Sequence, residues 1–135
     1  LANGSFIALS TISPASSTGL TAVTFSPDGR YFVVGRTETP YFIIYKIDPS
    51  DTFTALSAPT GVPAASTGVG FAFSTDSNYL LMLTANTSYP ALMFRKESVS
   101  NFKYLTFPFP VGTTPTTIFD NILAASAGSA VAFSK

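Results

Sequence analysis

Few side chains in this sequence could take part in catalysis. The 135 residues include no histidine and no cysteine, so the most frequent general base, the thiolate nucleophile and the commonest zinc ligands are missing. No glycine-rich phosphate loop is present either. Carboxylates are the remaining source of acid–base chemistry, and the seven in the sequence are Asp28, Glu38, Asp48, Asp51, Asp76, Glu97 and Asp120.

The best-placed carboxylates lie in turn sequences. In Ser-Pro-Asp-Gly, residues 26–29, Pro27 occupies the favoured second turn position, and Asp28 and Gly29 follow it. Asp76 holds the equivalent position in a second copy of this pattern. The segment 48–51, Asp-Pro-Ser-Asp, offers too few clustered oxygens for calcium. We interpret Pro27, Asp28, Gly29 and Asp76 as structural turn residues, and we predict no catalytic residue, no metal site and no cofactor.

The chain repeats itself at an interval of nearly 50 residues. VTFSPDGRYFVVG at 23–35 is followed by FAFSTDSNYLLML at 71–83. Other landmarks return in the same order: FIAL at 6–9, FTAL at 53–56 and FKYL at 102–105; PASSTG at 14–19 and PAASTG at 63–68. Such a period indicates a repeat architecture in which each unit occupies an equivalent place.

Each unit has the pattern of four short antiparallel strands. β-branched and aromatic residues dominate short apolar runs such as YFVVG and YLLML, and turn residues separate these runs. A four-stranded sheet of this size cannot bury both faces alone, so the units must stack side by side. Radial stacking of such sheets gives a β-propeller, and the period is that of propeller blades. The sequence therefore predicts an all-β fold.

The segment FSPDGRYFVVG at 25–35 resembles the strand–turn–strand opening of WD40-like propeller repeats. The resemblance implies an outer strand at 6–9, blades at 23–56 and 71–105, an inner strand at 131–134 and an insertion at 106–122. The sequence departs from true WD40 repeats because it has no Trp and no His. Two blades are fewer than the four to eight of a closed propeller. We therefore expect an incomplete propeller, closed either by oligomerisation or by blades in further sequence.

Two groups of residues are candidates for binding. Loops between the second and third strands of the two blades should share one face, which places Arg36, Glu38, Asn86 and Tyr89 around one rim. The Phe-Pro-Phe-Pro segment suggests an interface at Phe107 and Phe109. Alternatively, the four rim residues are ordinary solvated loop residues, and the two phenylalanines pack against a neighbouring blade.

Charge and hydropathy narrow the possible partners. Seven Lys and Arg balance seven Asp and Glu, so the chain has no net positive electrostatic field that would attract nucleic acid or anionic lipid. No apolar run approaches the roughly 20 residues of a membrane helix, so we expect no membrane insertion. The cluster Arg95, Lys96 and Lys103 is interpreted as a solvated basic surface.

The function predicted from these observations is a non-enzymatic scaffold or binding module for protein or glycan contacts. Self-association or adjoining blades would complete it, and the Ser/Thr/Gly-rich composition favours an extracellular or virion-borne protein. One alternative is that the blades belong to a larger propeller enzyme of hydrolase or lactonase type, with catalytic residues elsewhere. Another is a ring-closing oligomeric lectin, although the best sugar-stacking residue, Trp, is missing.

Overall fold

The structure is a computed structural model that describes residue 12 and residues 19–63, 67–86 and 89–106. The described residues form two four-stranded antiparallel sheets, each with its strands in sequence order, which confirms the predicted all-β fold. The first sheet contains β1 (Leu20–Phe25), β2 (Tyr31–Arg36), β3 (Phe42–Ile47) and β4 (Phe53–Ala55). The second contains β5 (Gly68–Phe73), β6 (Tyr79–Thr84), β7 (Ala91–Ser98) and β8 (Asn101–Leu105).

Some of the sequence expectations fall beyond this description. The predicted strands at 6–9 and 131–134 lie outside the described residues, as does all of the predicted insertion except Thr106. The predicted blades 23–56 and 71–105 correspond to strands that run from Leu20 to Ala55 and from Gly68 to Leu105.

The two sheets stack face to face around one apolar cluster. Alternating residues of β2 and β3 supply one side of it, and alternating residues of β5 to β8 supply the other. The side chains of Val33, Leu80 and Phe94 are fully inaccessible to solvent. The Phe94 ring lies 5.3 Å from the Phe42 ring across the interface, a separation typical of aromatic pairs.

Tyr31 connects the sheets at the edge opposite the predicted rim. Its ring packs edge-on against Phe102 of the second sheet at 5.1 Å, and its hydroxyl donates to the carbonyl oxygen of Val99 at 3.2 Å. The Lys96 ammonium lies 5.4 Å from the ring centroid of Tyr31, within the range of a cation–π interaction. Burial raises the pKa of Tyr31. This residue therefore combines apolar, polar and cationic contacts between the sheets.

The backbones of the two sheets lie close together near Gly35. A Cβ atom at this position would lie 2.5 Å from Oγ1 of Thr21, 2.6 Å from the carbonyl oxygen of Gly68 and 2.8 Å from the ring of Phe71. The Thr21 hydroxyl also donates to the Gly68 carbonyl, which ties β1 to β5. Glycine is required at position 35 because the second sheet fills the space that a side chain would need.

We predict that Gly35→Ala separates the sheets locally and lowers the free energy of unfolding by about 1–3 kcal/mol, the usual cost of overpacking. Denaturant unfolding measures the loss, and amide exchange in β5 should increase. Gly29→Ala is the matched control: its φ of +69° strains an alanine, but no atom lies within 4 Å of the added Cβ. Unchanged exchange in β5 of Gly35→Ala would contradict the prediction.

Candidate functional site

The turn at Ser26 to Arg30 is held by a polar network around one carboxylate. The Ser26 hydroxyl donates to Oδ1 of Asp28 at 2.5 Å and accepts the amide of Tyr31 at 2.9 Å. The amide of Arg30 donates to the same Asp28 oxygen at 3.1 Å, and Gly29 takes the left-handed conformation that closes the turn. Asp28 therefore acts on its own backbone, as Asp commonly does in turns.

The second sheet reproduces this network with different residues. Ser74 donates to Asp76 at 2.5 Å and accepts the amide of Tyr79 at 2.9 Å. Asn78 donates to Asp76 through both its amide, at 3.0 Å, and its side chain, at 2.8 Å. Ser77 replaces glycine at the left-handed position, with φ of 58°, and its buried hydroxyl accepts the amide of Asp28 at 3.2 Å. One turn thus contacts the other.

These hydrogen bonds favour the ionised carboxylates. Burial of Asp28 opposes ionisation, but hydrogen bonds with the Ser26 hydroxyl and the Arg30 amide, together with the charge of Lys96 and the Ser77 hydroxyl, outweigh it. The pKa of Asp28 therefore lies below its ordinary value. The hydrogen bond from Ser74, followed by those from Asn78, lowers the pKa of Asp76 from 3.8 to about 2. Both carboxylates are therefore ionised turn anchors at neutral pH.

The loops predicted to form a rim lie at one edge of the stacked sheets. The amide of Thr37 donates to the carbonyl of Gly19 at 2.8 Å, and the amide of Ala85 donates to the carbonyl of Thr67 at 3.1 Å. Both strand-connecting loops, 37–41 and 85–90, are thus tied to the beginning of their own sheet. Since Gly35 and Gly68 adjoin across the interface, the two loops share this edge.

The four predicted rim residues differ in exposure. Glu38 is exposed, Asn86 is half-buried, and 46% of Tyr89 is accessible to solvent. Arg36 is the last residue of β2 rather than a loop residue, and only 7% of it is accessible. The amide of Asn86 donates to the hydroxyl of Thr84 at 3.1 Å. The interface candidates Phe107 and Phe109 lie outside the described residues.

A small apolar cleft beside the rim was not expected from the sequence. It has a volume of about 140 Å³ and lies between the start of β3 and the segment that follows β4. Its lining consists of Pro40, Phe42, Ile43, Ile44 and residues 55–59. The cleft is smaller than typical small-molecule sites and can take one partner side chain. Its walls come from two separate segments of the first blade, so no single local pattern signals it.

The basic residues of the second sheet are engaged in local contacts. Arg95 and Lys103 both pair with Glu97, at 3.0 and 3.7 Å, while Lys96 lies over Tyr31. Within the described ranges, no three acidic side chains are grouped so that they could hold a metal ion. The described residues also contain no helix with the length and hydropathy needed to cross a bilayer.

Comparison with solved structures identifies the architecture. The chain is similar to a candidate 6-phosphogluconolactonase from Bacteroides fragilis, with a TM-score of 0.55, 19% identity and coverage of 73% of this chain and 28% of that one. It is also similar to a protein from Lactobacillus plantarum, with a TM-score of 0.52, 20% identity and coverage of 70% and 29%. A third similar structure is the periplasmic gluconolactonase of Pseudomonas aeruginosa, with a TM-score of 0.52, 17% identity and coverage of 73% and 28%.

These neighbours have folds of the propeller type. The two sheets are β-propeller blades. The resemblance of the repeats to WD40-like propeller units is thereby confirmed at the level of the fold. The chain spans less than a third of the length of each of the three proteins. No protein-family model matches the sequence, and the comparison with curated proteins finds no match.

We predict that Asp76 makes the stability of the blades pH-dependent in acid. Its folded-state pKa of about 2 lies below the ordinary 3.8, so its stabilising contribution is complete above about pH 4 and disappears as the pH falls through about 2. Asp76→Asn should therefore be less stable than the wild type at pH 7, and the difference should shrink towards pH 2. Denaturant unfolding between pH 2 and pH 7 measures this.

Asp51→Asn is the matched control for this measurement. It removes a carboxylate that lies outside the turn from Ser74 to Tyr79. Asparagine tolerates the φ of 59° at position 51. If the wild type and Asp76→Asn lose stability in parallel across this pH range, Asp76 does not anchor the turn.

Proposed function

We propose that the two blades are part of a non-enzymatic scaffold that binds protein or glycan partners through the rim of Glu38, Asn86 and Tyr89, with the buried Arg36 behind it. The observation that carries the proposal is the position of loops 37–41 and 85–90 at one edge of the stacked blades, with Tyr89 46% accessible to solvent. Exposed tyrosine combines a large apolar surface with a hydrogen-bonding group, which is why it is frequent in binding sites.

Two further features support a binding role. The apolar cleft includes Pro40 of the first rim loop, so a partner on the rim could insert one apolar side chain there. The carboxylates of Asp28 and Asp76 accept hydrogen bonds from the backbone of their own turns, so their role is structural. The Ser/Thr/Gly-rich composition favours an extracellular or virion-borne setting for this scaffold.

The test begins with selection of ligands on the folded chain, from a glycan array and from a displayed peptide library. Affinities of the selected ligands are then measured by calorimetry for Tyr89→Ala and for Val99→Ala. Val99 is the matched control because it is also exposed, at 58%, and lies in the β7–β8 turn at the opposite edge. We expect Tyr89→Ala to weaken binding about tenfold, the effect of losing one interfacial aromatic anchor.

Equal weakening by Val99→Ala and Tyr89→Ala would exclude the rim as the binding surface. Light scattering on the same chain tests the self-association alternative. A discrete trimer or tetramer would support a ring-closing oligomer, and its blade junctions would then be screened for sugars.

The second candidate is that the blades belong to a larger propeller lactonase. It is favoured by the names of two structural neighbours, which describe lactonases. In this case catalytic or metal-binding residues would project into the central channel from other blades. Lactone hydrolysis by the longer protein, unaffected by Tyr89→Ala, would support this candidate over the binding scaffold.

A further inference from the structure

The apolar cleft beside the rim has room for one aromatic ring. It lies between the start of β3 and the segment that leaves β4, and its volume is about 140 Å³. Two of the residues that line it, Ala55 and Ala58, have side chains of a single methyl group. An apolar cavity of about 150 Å³ accepts one benzene molecule. The cleft therefore has the size of a single aromatic side chain.

The second repeat carries aromatic residues where the first repeat has these alanines. The segment that leaves the first blade reads FTALSAP, and its counterpart in the second blade reads FKYLTFP. The alignment of these segments makes Tyr104 the equivalent of Ala55 and Phe107 the equivalent of Ala58. The first repeat thus lacks two rings that the second repeat has in its own sequence.

Strand register and ring packing support the equivalence of Ala55 and Tyr104. Ala55 is the register partner of Tyr45 in β3. Tyr104 is the register partner of Phe94, which holds the same position in β7. The Tyr104 ring lies 5.8 Å from the Phe94 ring and packs against the cluster between the blades. An aromatic ring is therefore well accommodated at this edge of a blade.

The cleft is continuous with the interface between the two blades. Phe42 and Ile44 of its lining belong to the apolar cluster between the blades, and Leu56 packs against this cluster. That interface already packs aromatic rings against one another, as in the pair of Phe42 and Phe94. Residues of β1, whose counterparts in β5 pack against the first blade, are not part of the lining. The cleft is thus distinct from the β1 surface, which the repeat assigns to packing between blades.

We propose that the cleft holds a phenylalanine side chain of a protein partner that binds at the rim. This inference rests on the proposed binding function and narrows its partner from protein or glycan to protein. The partner supplies a ring that the first repeat lacks. A sugar is disfavoured, because its hydroxyl groups would lose water against a lining whose one polar side chain is Ser57. Phenylalanine is favoured over tyrosine for the same reason.

The test uses three probes, N-acetylphenylalanine amide, N-acetylalanine amide and glucose, on the chain with ¹³C-labelled methyl groups. The methyl resonances of Ile43, Ile44 and Leu56 report occupation of the cleft, because these residues line it. We expect the phenylalanine probe to shift these resonances with a Kd on the order of 1 mM, as its size implies. The alanine probe should bind at least about tenfold more weakly, and glucose should leave the resonances unchanged.

Two variants fill the cleft with residues taken from the second repeat. Ala58→Phe reproduces Phe107, and Ala55→Tyr reproduces Tyr104. Each should weaken binding of the phenylalanine probe at least about tenfold, and the second variant supplies the test if the first does not fold. Ala85→Phe is the matched control, because it adds the same ring at an exposed alanine outside the lining. It should leave the affinity unchanged.

The proposal fails if the phenylalanine probe leaves the methyl resonances unshifted, or if its affinity survives both filling variants. Three other results would assign the cleft to a different occupant. Equal shifts with glucose would indicate a glycan, and a dimer of the chain that the phenylalanine probe dissociates would indicate a second copy. Tighter binding of the probe to a double variant, Phe107→Ser with Phe109→Ser, would indicate the chain's own Phe-Pro-Phe-Pro segment.

These outcomes are distinguishable from a failure of the proposed function. Tyr89 does not line the cleft, so Tyr89→Ala tests the rim and the phenylalanine probe tests the cleft. Probe binding in the absence of any ligand that depends on Tyr89 would count against the rim alone. Ligands that depend on Tyr89, together with no binding of the probe, would count against the cleft alone.

Discussion

Burial of one apolar cluster between the two blades is the interaction on which this structure depends. A single four-stranded sheet has no interior, so residues such as Val33, Leu80 and Phe94 become inaccessible only because the second sheet covers them. Burial of a large aromatic or aliphatic side chain contributes about 1.5–3 kcal/mol. The close approach at Gly35 and the contacts of Tyr31 follow from the same stacking.

Around this cluster, polar turn networks set the direction of the strands. The two Ser–Asp turns share their hydrogen-bond pattern although glycine stands at one left-handed position and serine at the other. The serine is accommodated because its hydroxyl accepts the amide of Asp28 from the neighbouring blade. A difference between repeats is thus explained by a contact between blades.

The strands and turns could be predicted from sequence because they depend on residues close together in the chain, such as the short apolar runs and the segment Ser-Pro-Asp-Gly. The stacking of units could be predicted because a similar pattern returns after 48 residues, and the order of the loops predicted that Glu38 and Tyr89 lie at one edge. Accessibility could not be predicted in the same way. Tyr31 and Tyr79 occupy equivalent positions in the repeat, yet they are 2% and 37% accessible. The difference arises because a blade covers Tyr31, and residues about 70 positions further along the chain make that contact. The burial of Arg36 and the exposure of Leu20, Val23 and Phe25 depend in the same way on which segments of the chain pack against these residues.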